Sequence, residues 1–462
     1  VTGMLTIPLL QGIPIAYLQV FRTAATSYDL SLVIRLLLAL VVTFVPTTLM
    51  GLAFPVVTKI NARHLSRIGR EVGSVYLINN IGSVVGSLLG GLLLLPTFGW
   101  RGAILVAVGL NLAVYLTATL CHQQRTQRRR AVIVIPVAAA LIGTLLIAKP
   151  DTTPLLLNHQ SVWKYSSTKQ FRDRQAATKL LFHATNVVGD VAVFEEPNGV
   201  RRLHQGGVAE GSDDAVDAVA QRSVTTLPLA MHVNPQSVFL IGLGTGISAS
   251  QALRMPIVDL DIAEINGAVV DASRLFIGDA LQTDKRVEVD IDDARHALQN
   301  EDETYDVIAS EPSIPISTNV CNLFTTDFYA AAKERLNEGG IFCQWVPVFF
   351  LQNVDYNMLA KTFRVAFPRM WVWSITYEGT AAEDVFFTGF KGNGDFSVDR
   401  VKALVAEYNP GARVELIGTP ESVATAVADE SVPLNTDEHP VLEFRTPRNL
   451  LARYRVMLGS EL

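Results

Sequence analysis

The residues best placed to do chemistry follow one short apolar run. Ile241 leads into Gly242-Leu243-Gly244-Thr245-Gly246. Glycines at this spacing, directly after a strand and before a helix, permit a tight turn and a close backbone approach to a ligand, with helix N–H groups behind. Glu264 follows about 20 residues on, where an acid at the next strand end accepts hydrogen bonds from ribose hydroxyls. A plainer role for Glu264 is a carboxylate at a helix N-terminus. The third strand ends in Asp292-Asp293-Ala294-Arg295, where a carboxylate can accept from an exocyclic adenine amine. The fourth ends in Ser310-Glu311-Pro312-Ser313. Acids at three neighbouring strand ends are hard to explain by packing alone. Their mutual repulsion is expected to raise at least one pKa, as suits acid/base work.

The elements that must position these residues begin at Ser237. Runs at Val238–Ile241, Val258–Ile262, Val287–Ile291, Asp306–Ala309, Gly340–Val346 and Trp371–Ser374 read as strands. Between them, Ile247–Arg254, Ala268–Leu275, Ala294–Gln299, Thr326–Leu336 and Val354–Phe367 read as helices. Such alternation predicts an α/β domain with a mostly parallel, doubly wound sheet, binding ligands at the strand carboxyl ends. Upstream, Leu180–Ala184, Gly189–Phe194 and Arg201–Leu203, with Pro197-Asn198-Gly199 as a turn, predict a small β-meander followed by a helix over Asp213–Leu229.

The first 149 residues differ in kind. They carry twelve Lys and Arg against Asp29 and Glu71, a charge of +10, so the chain's −6 leaves −16 for the remainder. Five stretches read as membrane spans: Met4–Val20, Leu30–Val57, Val72–Leu95, Ala103–Cys121 and Ala131–Ala148. Gly82, Gly86 and Gly90 recur at i, i+4 spacing in the third, where small residues let helices approach closely. Asn79 and Asn80 in that span are expected to face other helices. The spans lack mid-span charges, which favours helix packing over transport. Arginines in the loops Asn61–Arg70 and His122–Arg130 place both loops in the cytoplasm, with the link Thr97–Arg101 outside. The fifth span then puts everything after Lys149 outside the cytoplasm. The expected division is a transmembrane helical domain over 1–149, a linker, meander and helix over 150–235, and an α/β domain over 236–462. An acidic soluble part is a poor partner for nucleic acid and attracts cations such as polyamines, although its charge also serves solubility. Cys121, Cys321 and Cys343 show neither metal-ligand spacing nor a disulfide framework. A Cys321–Cys343 bridge would require an oxidising compartment.

The ordered set of motifs resembles the spermidine synthases (polyamine aminopropyltransferases). It comprises the glycine loop, Glu264, Asp293-Ala294, and Tyr305-Asp306-Val307-Ile308 leading to Glu311-Pro312-Ser313. Asn322-Leu323-Phe324-Thr325, Phe328-Tyr329, Gln344-Trp345-Val346 and the run Asn435 to Phe444 continue it. With Leu49-Met50-Gly51, Phe54-Pro55, Gly99 and Arg101-Gly102-Ala103, the likeness extends to the membrane-fused branch, in which a major-facilitator-like half precedes a spermidine synthase-like domain. The resemblance implies a class I methyltransferase-like (Rossmann-like) fold. Its implied cosubstrate is decarboxylated S-adenosylmethionine or S-adenosylmethionine, and an amine acceptor completes the reaction. Gly242, Gly244 and Gly246 would border the sulfonium nucleoside, Glu264 its ribose, and Asp292 or Asp293 its adenine. Glu311 would stand at the catalytic acid position. A bacterial inner-membrane protein, in contact with lipid and with membrane partners, is the implied setting.

Two departures from the family pattern stand out. The family's second aspartate, three residues beyond the first, is Ile314 here. Its Tyr-His-Glu run falls on Ala220, Gln221 and Arg222, so a cationic amine is expected to lose carboxylate partners and meet Arg222. Asp213, Asp214 and Asp217 are the available substitutes, more readily explained by solubility. Three readings follow: an aminopropyltransferase, a methyltransferase on the same fold, and a non-catalytic membrane scaffold.

Overall fold

The computed structural model describes residues 2–24, 27–62, 67–121, 152–157, 164–300, 303–315, 318–348, 351–377 and 383–449. Its contacts divide the chain into two compact units. The first holds Val1–Ala177 with His183–Val191 and Gln205–Val208, and the second holds the rest.

In the first unit, α1 (Thr2–Ala24) and α2 (Tyr28–Asn61) precede α3 (Ile68–Leu89) and α4 (Leu95–Cys121), with a π-helical turn at Gly90–Leu94 joining the last two. Ser27 starts α2 by accepting a hydrogen bond from Leu30 N at 3.1 Å. Two helical stretches, Tyr28–Asn61 and Ile68–Thr119, are long and apolar enough to cross a bilayer, and Leu9–Val20 is a shorter apolar helix. Their large side chains face outward, with Met50 75% and Ile78 70% exposed. The link expected at Thr97–Arg101 coincides with a break between two helical stretches. The backbone leaves helical geometry at Gly99, whose φ of 63° and ψ of 174° favour glycine over any residue with a Cβ. The fifth expected span, Ala131–Ala148, and the arginine-rich loop before it lie outside the described residues. A further helix, α5 (Thr168–Ala177), buries Phe171.

The meander has four strands in sequence order, β1 (Lys179–Thr185), β2 (Asp190–Glu195), β3 (Arg201–Gln205) and β4 (Val208–Ser212). The expected turn at Pro197-Asn198-Gly199 joins β2 to β3, closed by Glu196 N to Val200 O at 2.8 Å. The fourth strand was not anticipated. Its sequence, Val-Ala-Glu-Gly-Ser, carries one β-branched residue.

The second unit is built on an eight-stranded sheet of order β12-β10-β11-β9-β8-β5-β6-β7. The strands are β5 (Ser237–Ile241), β6 (Asp259–Ala263), β7 (Val287–Asp290), β8 (Tyr305–Ser310), β9 (Leu336–Val346), β10 (Met370–Tyr377), β11 (Glu383–Phe390) and β12 (Ala412–Gly418). Strands β7-β6-β5-β8-β9 run parallel, and β11, β10 and β12 extend the sheet through antiparallel pairs. The sheet is therefore mixed. Crossover helices give the parallel part, and in the antiparallel extension a short connection joins β10 to β11. The connecting helices are α6 (Ala215–Met231), α7 (Ile247–Ala252), α8 (Gly267–Ile277), α9 (Ala294–Asn300), α10 (Thr326–Glu334), α11 (Asn353–Ala366), α12 (Val398–Tyr408) and α13 (Pro420–Ala426). One sheet face packs a core of Phe239, Ile308, Phe328, Tyr329, Phe342, Phe363 and Phe367. Phe342 and Phe367 stack with centroids 5.5 Å apart. Cys321 and Cys343 are buried free thiols.

Candidate nucleoside and amine site

Strand order reverses between β5 and β8, and the crevice outside such a reversal is where open α/β sheets bind ligands. Register brings the strand ends level, with Ile241 paired to Ala263 and to Ser310, and Ala263 to Asp290. The first residue beyond each strand continues this alignment. Gly242 N donates to Ala263 O at 3.0 Å, Glu264 N to Asp290 O at 2.9 Å, and Glu311 N to Ile241 O at 3.3 Å.

The glycine loop has positive φ at all three glycines, 84° at Gly242, 53° at Gly244 and 80° at Gly246. A Cβ on Gly246 would lie 2.5 Å from Ile277 Cδ1, and one on Gly242 would lie 3.5 Å from Glu311 O. Backbone conformation favours glycine at all three positions, and at Gly246 the Ile277 side chain adds a close approach. Glu264 is 5% exposed. Its Oε2 accepts from Leu243 N and its Oε1 from Asn266 N, each at 2.9 Å. Burial raises its pKa, and these backbone donors oppose the rise. Glu264 thus braces the glycine loop from the neighbouring strand, with the Gly244 backbone as a further donor.

Asp292 and Asp293 lie one strand further out. Asp292 pairs with His296, which holds its carboxyl below the usual range. Asp293 is exposed, and its Oδ1 accepts from Arg295 N at 2.9 Å, so it caps α9.

Glu311 sits over the start of α7, with its Oε2 accepting from Ser248 Oγ at 2.6 Å. Burial, then repulsion from Asp384 and Asp217, pushes its pKa to about 8. The expected rise is therefore present, but the acids that cause it are not the strand-end set. Asp217 lies on α6, accepts from Ser212 Oγ and pairs with Arg202 at 3.3 Å. Asp384 lies on β11, is 8% exposed, and accepts from Trp345 Nε1 at 2.7 Å and from the Tyr377 hydroxyl. Burial and Asp384 together raise the Tyr377 pKa, so that phenol stays protonated and donating. Asp213 and Asp214 have other duties. The first pairs with Arg201 at 2.7 Å, and the second caps α6.

Arg222 does not take the place expected for it. Its Nε donates to Asn409 Oδ1 at 3.1 Å, and burial, then Arg254, lowers its pKa. Gln221 instead reaches the glycine loop. It accepts from Thr245 Oγ1 and donates to Ser212 O at 2.9 Å. Sequence reasoning missed Ser248, Asp384 and Tyr377. The pair Gln344-Trp345 marked the strand end beside Asp384, but nothing local marked Asp384 itself.

Comparison with known proteins gives a consistent assignment. The spermine/spermidine synthase domain family matches residues 218–397. A polyamine aminopropyltransferase of Thermoanaerobacter sp. (strain X514) is 34% identical over 153 residues, 32% of this chain and 55% of that protein. One from Thermococcus kodakarensis is 30% identical over 198 residues, 40% of this chain and 68% of that protein. The chain thus spans 55% of the first of these relatives. Among solved structures, a spermidine synthase in complex with the transition-state analogue AdoDATO aligns with a TM-score of 0.44 at 21% identity, covering 55% of this chain and 86% of that one.

Proposed function

Since the chain belongs through its C-terminal part to the spermine/spermidine synthase family, we propose that this part transfers an aminopropyl group from decarboxylated S-adenosylmethionine to an amine acceptor. The observation that carries the reading is the environment of Glu311: a carboxyl of pKa about 8, pressed by Asp217 and Asp384, beside a glycine loop at the sheet's switch point. An ammonium group relieves such crowding, because a positive charge among three carboxyls restores Glu311 to its ionised form. The ionised carboxylate then accepts a proton from the ammonium, and the neutral amine attacks the methylene carbon next to the sulfonium. A C–N bond forms, the C–S bond breaks, and methylthioadenosine leaves with the electron pair. Gly242, Gly244 and Gly246 line the nucleoside, Glu264 and Asp293 serve ribose and adenine, and Asp292 steadies the Asp293 backbone through a 2.8 Å bond.

Asp384 and Asp217 offer the negative charge that Ile314 and the Ala220-Gln221-Arg222 run lack. The same departures favour a second reading, a scaffold that binds nucleoside without turnover. The apolar stretches Tyr28–Asn61 and Ile68–Thr119 support a membrane setting for either. Incubating the full chain in detergent with decarboxylated S-adenosylmethionine and a panel of amines, and following methylthioadenosine release, tests the proposal. Release that depends on both the amine and Glu311 supports transfer. Nucleoside binding without release supports the scaffold. In a parallel incubation with S-adenosylmethionine, a methylated amine formed with S-adenosylhomocysteine and without methylthioadenosine supports a methyltransferase.

A further inference from the structure

The segment from Asn435 to Leu442 lies far in sequence from the strand ends, yet it reaches them. Its anchor is Asn435, which is fully buried. Asn435 O accepts from Thr326 N at 3.0 Å, and Nδ2 donates to Phe324 O at 2.9 Å. Oδ1 accepts from Val441 N and Leu442 N at 2.9 and 3.1 Å. Two residues on, Asp437 accepts from both guanidinium nitrogens of Arg295, one at 3.0 Å, while its own N–H donates to Asp327 Oδ2 at 3.1 Å.

Arg295 also donates its backbone N–H to Asp293. The aim of the Asp293 carboxylate therefore depends on where α9 begins. That helix has seven residues and buries Ala294, Ala297 and Leu298, a small apolar contact for fixing a helix end. The fork of Arg295 on Asp437 supplies direction as well as attraction. The pair is partly exposed, with side chains 21% and 36% accessible, and such pairs contribute little to stability. What a bidentate contact offers at this place is geometry.

We propose that Arg295 and Asp437 form a positioning pair for the nucleoside: a distant strap, pinned by Asn435, sets the start of α9 and thereby the aim of Asp293. This rests on the nucleoside reading given above.

The test is equilibrium binding of decarboxylated S-adenosylmethionine and of methylthioadenosine to the full chain in detergent, with the thermal midpoint measured alongside. Wild type is compared with Asp437→Asn, Arg295→Lys and the double variant. Arg295→Lys keeps the charge and loses the fork. Each single change should weaken nucleoside binding about tenfold, and the double should weaken it no further than the worse single, as expected of partners in one interaction. At saturating nucleoside, kcat should stay at the wild-type value. Binding within about twofold of wild type in both single variants, with a lowered thermal midpoint, would make the pair merely structural and overturn the inference. Failure of wild type to bind either nucleoside would overturn the nucleoside reading itself, and this inference with it.

Discussion

Replacing Glu311 by glutamine should make the empty protein more stable in alkali while removing its activity. In the fold the carboxyl titrates near 8, against an ordinary value of 4.5. A raised value means that the fold favours the protonated form. Stability from this group is complete below pH 4.5 and drains away as pH rises through 8. At about 1.4 kcal/mol per pH unit, the whole interval corresponds to roughly 5 kcal/mol as a ceiling. Water entry and side-chain relaxation around the ionised form bring the expectation to about 2–3 kcal/mol. Glutamine keeps the shape and can still accept the Ser248 hydroxyl, but it never ionises. Urea unfolding of the full chain in detergent, followed by tryptophan fluorescence, reads the difference through Trp345, Trp371 and Trp373. Glu311→Gln should be close to wild type at pH 5 and more stable at pH 9. Parallel stability–pH curves for the two proteins would refute the argument. The same substitution should lower aminopropyl transfer about 10²-fold or more, the scale of a lost acid/base group.

Asp384→Asn removes the larger source of repulsion, so Glu311 should ionise at lower pH; the acidic limb of the kcat/KM–pH profile should move down, and an unmoved limb would separate Asp384 from the site. Gly246→Ala forces a side chain into a φ of 80° and to within 2.5 Å of Ile277 Cδ1; it should cost about 1–3 kcal/mol of stability and weaken nucleoside binding, measured by thermal unfolding and calorimetry. Arg222→Met removes a cation that faces Asn409 rather than the crevice; the KM for the amine should stay unchanged, and a marked fall would show that Arg222 does repel the acceptor.

On the proposed nucleoside side, the positions of the glycine loop and the strand-end acids were legible because each is a local feature. A strand, a glycine loop and a helix are adjacent in sequence, and an acid closes each following strand. The amine side was not. Asp384 opens a strand whose partners β9 and β10 are set by tertiary pairing, and no local pattern links it to Glu311. β12 alternates charged Arg413 and Glu415 with apolar Val414 and Leu416, as an edge strand does, but that short signal follows the turn at Asn409-Pro410-Gly411 and falls beyond the α/β alternation. At Thr97–Arg101 the residues suggested a short link, and the chain breaks helical geometry there at Gly99.

The strand order gives the two sides of the crevice different folding histories. The glycine loop and Glu264 come from consecutive β–α units and can assemble from neighbouring chain, whereas Asp293 takes its aim only once the strap pinned by Asn435 has docked. The acid cluster needs α6, β8 and β11, which stand far apart in sequence, so it forms only after the antiparallel extension has docked against β9. Long-range contacts of this kind close late, after their loop-closure entropy has been met. A newly made chain would therefore hold a glycine loop braced by Glu264 before it holds a crowded carboxyl, and the repulsion at Glu311 would be among the last strains accepted by the finished sheet.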